Sequence, residues 1–197
     1  MQSTFLAWMF RMPLIKRWAL MFCVKPENIA EHSHQVAIVA HLLAVIKNKK
    51  FGGRVNADRV ATCALYHEAS ETRYGDIVNP TKYANAEIAR EFKKIESLAE
   101  QECLASLPPE FQDIFGDIIV QENVSTEYKS LVKAADTLVA YIKALDEINH
   151  HNPEFEHVKQ RLEAKLGVLQ QEMPEVQYFT DTFLKACTAT VDKLSRP

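Results

Sequence analysis

An all-α fold is predicted for this chain by three observations. Glycine is scarce, with 5 in 197 residues, while Ala, Leu, Glu and Lys, which lose little on entering a helix, are abundant. Alternating β-branched runs, the mark of half-buried strands, are few. Apolar residues instead recur at helical spacing between breakers at Pro13, Lys25-Pro26, Phe51-Gly52-Gly53, the 75–80 segment, Pro108-Pro109, Gly116, Asn152-Pro153 and Pro174. A chain of this length buries roughly 70% of its unfolded surface, so a single domain over residues 1–197 is expected to hold a full core without covalent staples.

The elements follow from the punctuation. A short helix is expected over about residues 5–11, with Ser3 or Thr4 as its cap, and a second beginning near Leu14. A third, about 28–47, is apolar nearly all round from Val36 to Ile46 and is expected at the centre of the fold. A fourth covers about 57–72. The fifth, about 86–104, carries Ile88, Phe92, Ile95 and Ala99 on one face and charges elsewhere, as an outer helix does. A long helix over about 127–148 repeats the pattern with Leu131, Ala135, Leu138, Ile142 and Leu145, and helices over about 154–171 and 176–194 follow.

Composition excludes several function classes. With 23 basic and 26 acidic residues the net charge is -3, so there is no basic field to track a polynucleotide backbone. The 4 cysteines, at 23, 63, 103 and 187, form no C-x-x-C pair and read as reduced structural thiols in a reducing compartment. The apolar patches between Phe5 and Val24 are broken by Arg11, Pro13, Lys16 and Arg17, which argues against a signal peptide or membrane span and favours the cytoplasm.

Ionisable groups on apolar faces are the informative exceptions. At about 100° per residue, His32 falls on the stripe of Val36, Val39 and Leu43, whereas His34 and His41 point elsewhere. On a continuous fourth helix, His67 and Glu71 share the stripe of Val60 and Ala64, and Glu68 turns away by one residue step. Asp136 lies at the margin of the long helix's apolar stripe, beside Val132 and Val139. A divalent metal would satisfy these imidazoles and carboxylates together. Taken singly, each has a plainer explanation: His32 as a hydrogen-bonded core or capping residue, Asp136 as half of an ion pair.

The string Glu31-His32-Ser33, His67-Glu68 with Glu71, Gly75-Asp76 and Ala135-Asp136 resembles the HD-domain metal phosphohydrolases in order and separation. Lys16-Arg17-Trp18 with Leu20-Met21, Gln35-Val36-Ala37, Lys49-Lys50-Phe51-Gly52-Gly53, Tyr66-His67, Ala69-Ser70-Glu71 and the loop from Gly75-Asp76 to Lys82-Tyr83 are similar to the bacterial 5'-deoxynucleotidase branch. The similarity runs along nearly the whole chain and is weakest after about Asn149.

The resemblance implies an HD-domain helical bundle, a homodimer, holding one divalent cation such as Co, Mn or Zn and releasing phosphate from deoxynucleoside 5'-monophosphates. It maps His32, His67, Glu68 and Asp136 onto metal ligands, Arg17 onto the phosphate-orienting arginine, and Trp18 onto the side chain that crowds the ribose 2'-position. Glu71 and Asp76 fall on acidic residues of catalysis and of sugar or leaving-group contact, with Ile77, Val78 and Asn79 beside the substrate. Arg17 offers the planar fork that suits phosphate, and Glu71 can deprotonate a water. Read without the family, Arg17 and Trp18 make an amphipathic anchor at a helix start, Glu71 a solvated helix end and Asp76 a turn residue.

Two departures stand out. The His-Asp pair that names the family is His67-Glu68 here, and the added methylene displaces the carboxylate by about 1.5 Å. A misplacement of about 1 Å near a reacting centre can cost on the order of a hundredfold in rate. The loop Asp76-Ile77-Val78-Asn79-Pro80-Thr81 also carries Val78 and Asn79 where the resembled enzymes carry Pro and Thr. Competing readings are a deoxynucleoside triphosphate phosphohydrolase and a non-catalytic nucleotide-binding HD protein. Retention of Glu71 and Arg17 argues against the last.

Overall fold

The computed structural model describes residues 2–195. In chain order the helices are α1 (Phe5–Met9), α2 (Ile29–Lys50), α3 (Ala57–Leu65), α4 (Glu71–Tyr74), α5 (Asn79–Lys82), α6 (Ala86–Ala105), α7 (Gln112–Ile119), α8 (Thr126–Asn149), α9 (Glu156–Glu172), α10 (Pro174–Thr182) and α11 (Val191–Leu194). Among the described residues there is no β-strand beyond an isolated antiparallel bridge between Lys16 and Asn28. The all-α expectation holds.

The centre is α2, packed against α3, α8 and α10. Asn28 starts it by accepting hydrogen bonds from Ala30 N and Glu31 N, and Val36, Ala40, Leu43 and Ala44 are wholly buried. Asn56, Asn85 and Ser125 cap α3, α6 and α8 in the same way. By length and hydropathy α2 could cross a membrane, but its apolar inner face is covered by its three neighbours. It is not buried all round, however: Ile38 is 56% exposed. A smaller core joins Phe5, Cys103, Leu107 and Ile119, with Tyr66 and Phe115 packed on it.

Four expectations need correction. No helix begins near Leu14; Met12–Leu14 form one 3-10 turn and the chain then runs non-helically to Asn28. Its backbone groups are satisfied across the loop instead, Arg17 N donating to Glu27 O and Ile29 N to Ile15 O. The helix expected over 57–72 ends at Leu65, and i→i+3 bonds from Tyr66 N to Cys63 O, His67 N to Ala64 O and Ala69 N to Tyr66 O tighten the chain before α4. The segment around Gly116, read as a break, forms α7, because burial of Ile118 and Ile119 outweighs the weak local preference. The final stretch is broken after Thr182, where Phe183 and Leu184 pack back onto the core, and α11 is separate.

Candidate metal and active site

The unwound segment after α3 carries the cluster. Thr72 Oγ1 donates to Ala69 O at 2.7 Å, and His67 Nδ1 lies 2.6 Å from Ala64 O. A carbonyl only accepts, so Nδ1 carries the proton and the Nε2 lone pair of the neutral ring is left facing the cluster. The chain leaves α-helical geometry after Leu65, so the stripe of α3 no longer sets the direction of the residues that follow, and the Glu68 side chain is buried against Arg17 and the two histidines. The helical stripe that put His67 and Glu71 together and Glu68 outside is thus corrected: Glu68 is the hub of the group.

Glu68 Oε1 lies 3.2 Å from His67 Nε2, 3.4 Å from Arg17 Nη1 and 3.9 Å from His32 Nε2. From α2, His32 is wholly buried and its Nε2 sits 3.1 Å from Asp136 Oδ1 of α8, whose side chain is 35% exposed at the solvent edge. One ligand atom from each of His32, His67, Glu68 and Asp136 lies within 4.8 Å of all the others. Three separate parts of the chain supply them.

These residues fit a divalent metal. His67 Nε2 is buried without a hydrogen-bond partner and turns its lone pair toward Glu68, while His32 faces Asp136 and Glu68 through Nε2. Two imidazole nitrogens beside two carboxylates form the donor set that binds Zn, Mn, Fe or Co.

Electrostatics bind the group together. Burial disfavours the charge on Glu68, yet His67 and Arg17 hold its carboxyl well below the usual range. Burial likewise opposes a charged His67, but Glu68 and Asp136 raise its pKa. Desolvation works against Asp136 and the hydrogen bond with His32 overrides it, lowering its pKa. Glu71 is the opposite case: burial and the charges of Glu68 and Asp76 push it up to about 11, and its Oε2 is buried without a partner. Asp76 is also raised, by burial and Glu68 against the pull of Arg17.

The remaining sequence-derived residues are placed unevenly. Arg17 bridges, with Nε 3.1 Å from Glu27 Oε2 and Nη1 on Glu68. The Trp18 indole packs edge-on to Phe155, ring centres 5.2 Å apart, and donates to Glu27 Oε2 at 2.9 Å. Ile77 and Val78 are partly buried, whereas Asn79 is exposed at the start of α5 and makes no side-chain hydrogen bond to the cluster. Sequence reasoning missed Glu27, which lies in a non-helical stretch where no periodicity marks a buried polar residue. It also missed the buried clamp in which Glu147 accepts from Val24 N, Lys25 N, Lys143 Nζ and Asn152 Nδ2.

Comparison with known proteins places this arrangement. The family described as 5'-deoxynucleotidase YfbR-like matches residues 4–187. A 5'-deoxynucleotidase of Vibrio vulnificus is 48% identical over 194 residues, covering 98% of this chain and 99% of that protein. The 5'-deoxynucleotidase YfbR of Escherichia coli O127:H6 is 48% identical over 195 residues, covering 99% and 97%. Among solved structures, an HD-domain phosphohydrolase from Listeria innocua superposes with a TM-score of 0.81 at 24% identity, over 95% of this chain and 90% of that one. The cyanophage S-2L HD phosphohydrolase DatZ, bound to dA and one catalytic Zn2+ ion, does so at 0.62 and 21% identity, over 94% and 98%. These two share the fold, and the nearly full-length identity to the bacterial enzymes places the chain in the YfbR-like 5'-deoxynucleotidase family.

Proposed function

We propose that this protein hydrolyses deoxynucleoside 5'-monophosphates to deoxynucleosides and phosphate, using a divalent cation held by His32, His67, Glu68 and Asp136. The convergence of those four ligand atoms with the guanidinium of Arg17 is the observation that carries the reading. The cation supplies Lewis-acid polarisation of a phosphoryl oxygen and lowers the pKa of water. Arg17 orients the phosphate and stabilises charge developing on its oxygens.

Glu71 takes the proton of the attacking water. Its high pKa reflects burial first and then the negative charges of Glu68 and Asp76, and positive charge added among these carboxylates would bring it down toward the range in which a general base works. Water forms the new P–O bond, the P–O5' bond breaks, and the departing 5'-oxygen receives a proton, a contact assigned to Asp76. Trp18 stands against the sugar and excludes a 2'-hydroxyl, while Ile77, Val78 and Asn79 border the same substrate. His32, Glu68 and Asp136 contact the substrate phosphate through the same ligand cluster.

The chain is proposed to act as one domain over residues 1–197, in the cytoplasm, and as a homodimer. Leu20 and Phe22, 81% and 71% exposed, and Ile38 provide apolar area for such a contact. Sedimentation of the protein at micromolar concentration tests the dimer.

The activity test is phosphate release from deoxy- and ribonucleoside monophosphates with added Co, Mn, Mg or Zn, for the wild type beside Glu68→Asp. Turnover of the deoxy compounds by the wild type is expected. Silence from the wild type with activity restored by aspartate would make this a binding protein, and release of triphosphate from a triphosphate would favour the other hydrolase reading.

A further inference from the structure

We propose that Glu27 is a positioning residue that aims the phosphate fork and the sugar wall from a single carboxylate oxygen; the inference rests on the roles given above to Arg17 and Trp18. Glu27 is 8% exposed, and its Oε2 accepts from both Arg17 Nε at 3.1 Å and Trp18 Nε1 at 2.9 Å. Its backbone carbonyl also accepts from Arg17 N at 3.0 Å. A carboxylate buried this far needs compensation, and here the two compensating donors are two consecutive side chains of the candidate site.

The backbone supports this. Trp18 has φ 59°, in the left-handed region that a bulky aromatic residue enters only when its surroundings hold it there. That conformation lets neighbouring side chains converge on one oxygen, which an extended backbone would send to opposite sides. Three contacts hold the indole: Glu27 at its nitrogen, the buried ring of Phe155 packed against it, and the Arg17 guanidinium over its face at 5.7 Å. Arg17 is stretched between Glu27 and Glu68, and its Nη2 has no protein partner among the described residues, which leaves a donor edge for a phosphate oxygen.

The rest of the loop is tied down separately. Glu147 accepts from Val24 N and Lys25 N, Lys143 donates to Lys25 O, and Asn152 Nδ2 donates to Phe22 O. Removing the Glu27 carboxylate therefore takes away the anchor the two functional side chains share, leaving Arg17 on Glu68 and Trp18 on Phe155, without releasing the loop.

The test compares wild type with Glu27→Ala, Glu27→Asp and Glu27→Gln, using dAMP and AMP as substrates and measuring bound metal. A second readout uses the same set in a Trp8→Phe background, where Trp18 is the remaining tryptophan and its quenching by acrylamide reports its mobility. For Glu27→Ala, KM for dAMP is expected to rise by on the order of tenfold, with a smaller change in kcat. The dAMP-to-AMP ratio of kcat/KM should fall by a similar factor and Trp18 quenching should increase, with metal content unchanged.

Glu27→Asp, too short to reach both donors, should shift in the same direction, and it carries the test if the alanine variant does not fold. Glu27→Gln keeps an oxygen for both donors and should recover most of the discrimination. An unchanged substrate ratio with unchanged quenching in Ala or Asp overturns the proposal, as does a Gln variant as impaired as Ala, which would make charge rather than the shared oxygen decisive. If the wild type turns over neither nucleotide, the proposed function fails, and the quenching comparison alone decides whether Glu27 anchors Trp18.

Discussion

His32 and Asp136 were marked by sequence because each sits on or beside an apolar stripe of a long regular helix, where face follows from position. Glu68 was not, since its direction depends on a turn whose i→i+3 bonds no periodicity announces. The hub of the cluster was therefore legible as a residue type and through the resemblance, but not as a geometry. Glu71 illustrates the same limit: it shares no continuous stripe with His67, yet burial and neighbouring charge push its carboxyl up to about 11. Replacing it by Gln removes the proton acceptor without adding bulk. Phosphate release by Glu71→Gln is expected to fall on the order of a hundred- to ten-thousandfold in kcat while bound metal stays at the wild-type level. Loss of metal along with activity would instead make Glu71 a support of the ligand set.

The long elements α2, α6, α8 and α9 were readable because their apolar spacing runs over many turns. Of the short elements α1 was readable but α7 and the end of α3 were not, because a single tertiary contact outweighs a few tenths of a kcal/mol of propensity. The loop between α1 and α2 is held to α8 by the Glu147 clamp, which gives it a pH-dependent strength. Burial opposes the charge on Glu147, but hydrogen bonds from Lys143, Asn152 and the loop backbone bring its pKa down from 4.5 to about 2. A carboxyl lowered on folding stabilises fully above its unfolded pKa, and that contribution, about 3 kcal/mol, is lost as the pH falls from about 4.5 to 2. Glu147→Gln should melt lower than wild type at pH 7 and approach it only as the pH nears 2. Thermal melts showing parallel curves across that range would exclude Glu147 as the source of the acid sensitivity.

At the scale of the whole molecule, the cluster ties α2, α8 and the turn after α3 together, so a bound cation cross-links elements distant in sequence. Chelation should therefore lower the melting temperature by roughly 5–10 °C for a cation held at about a hundred times its Kd, and added Co, Mn or Zn should restore it. A melt indifferent to chelator, for protein shown to carry metal beforehand, would mean that the ligands are held by the core alone.

Composition and periodicity by themselves determined the helical class, the central place of α2 and the presence of ionisable groups on core faces, since these are properties of single helices and their burial. Motif order added the family. Only the tertiary structure decided that Glu68 turns inward, that Arg17 and Trp18 share Glu27, and that the loop carrying them is not a helix. Each of these depends on hydrogen bonds between residues or segments whose local pattern leaves their partners unspecified, and local spacing carries no information about such partners.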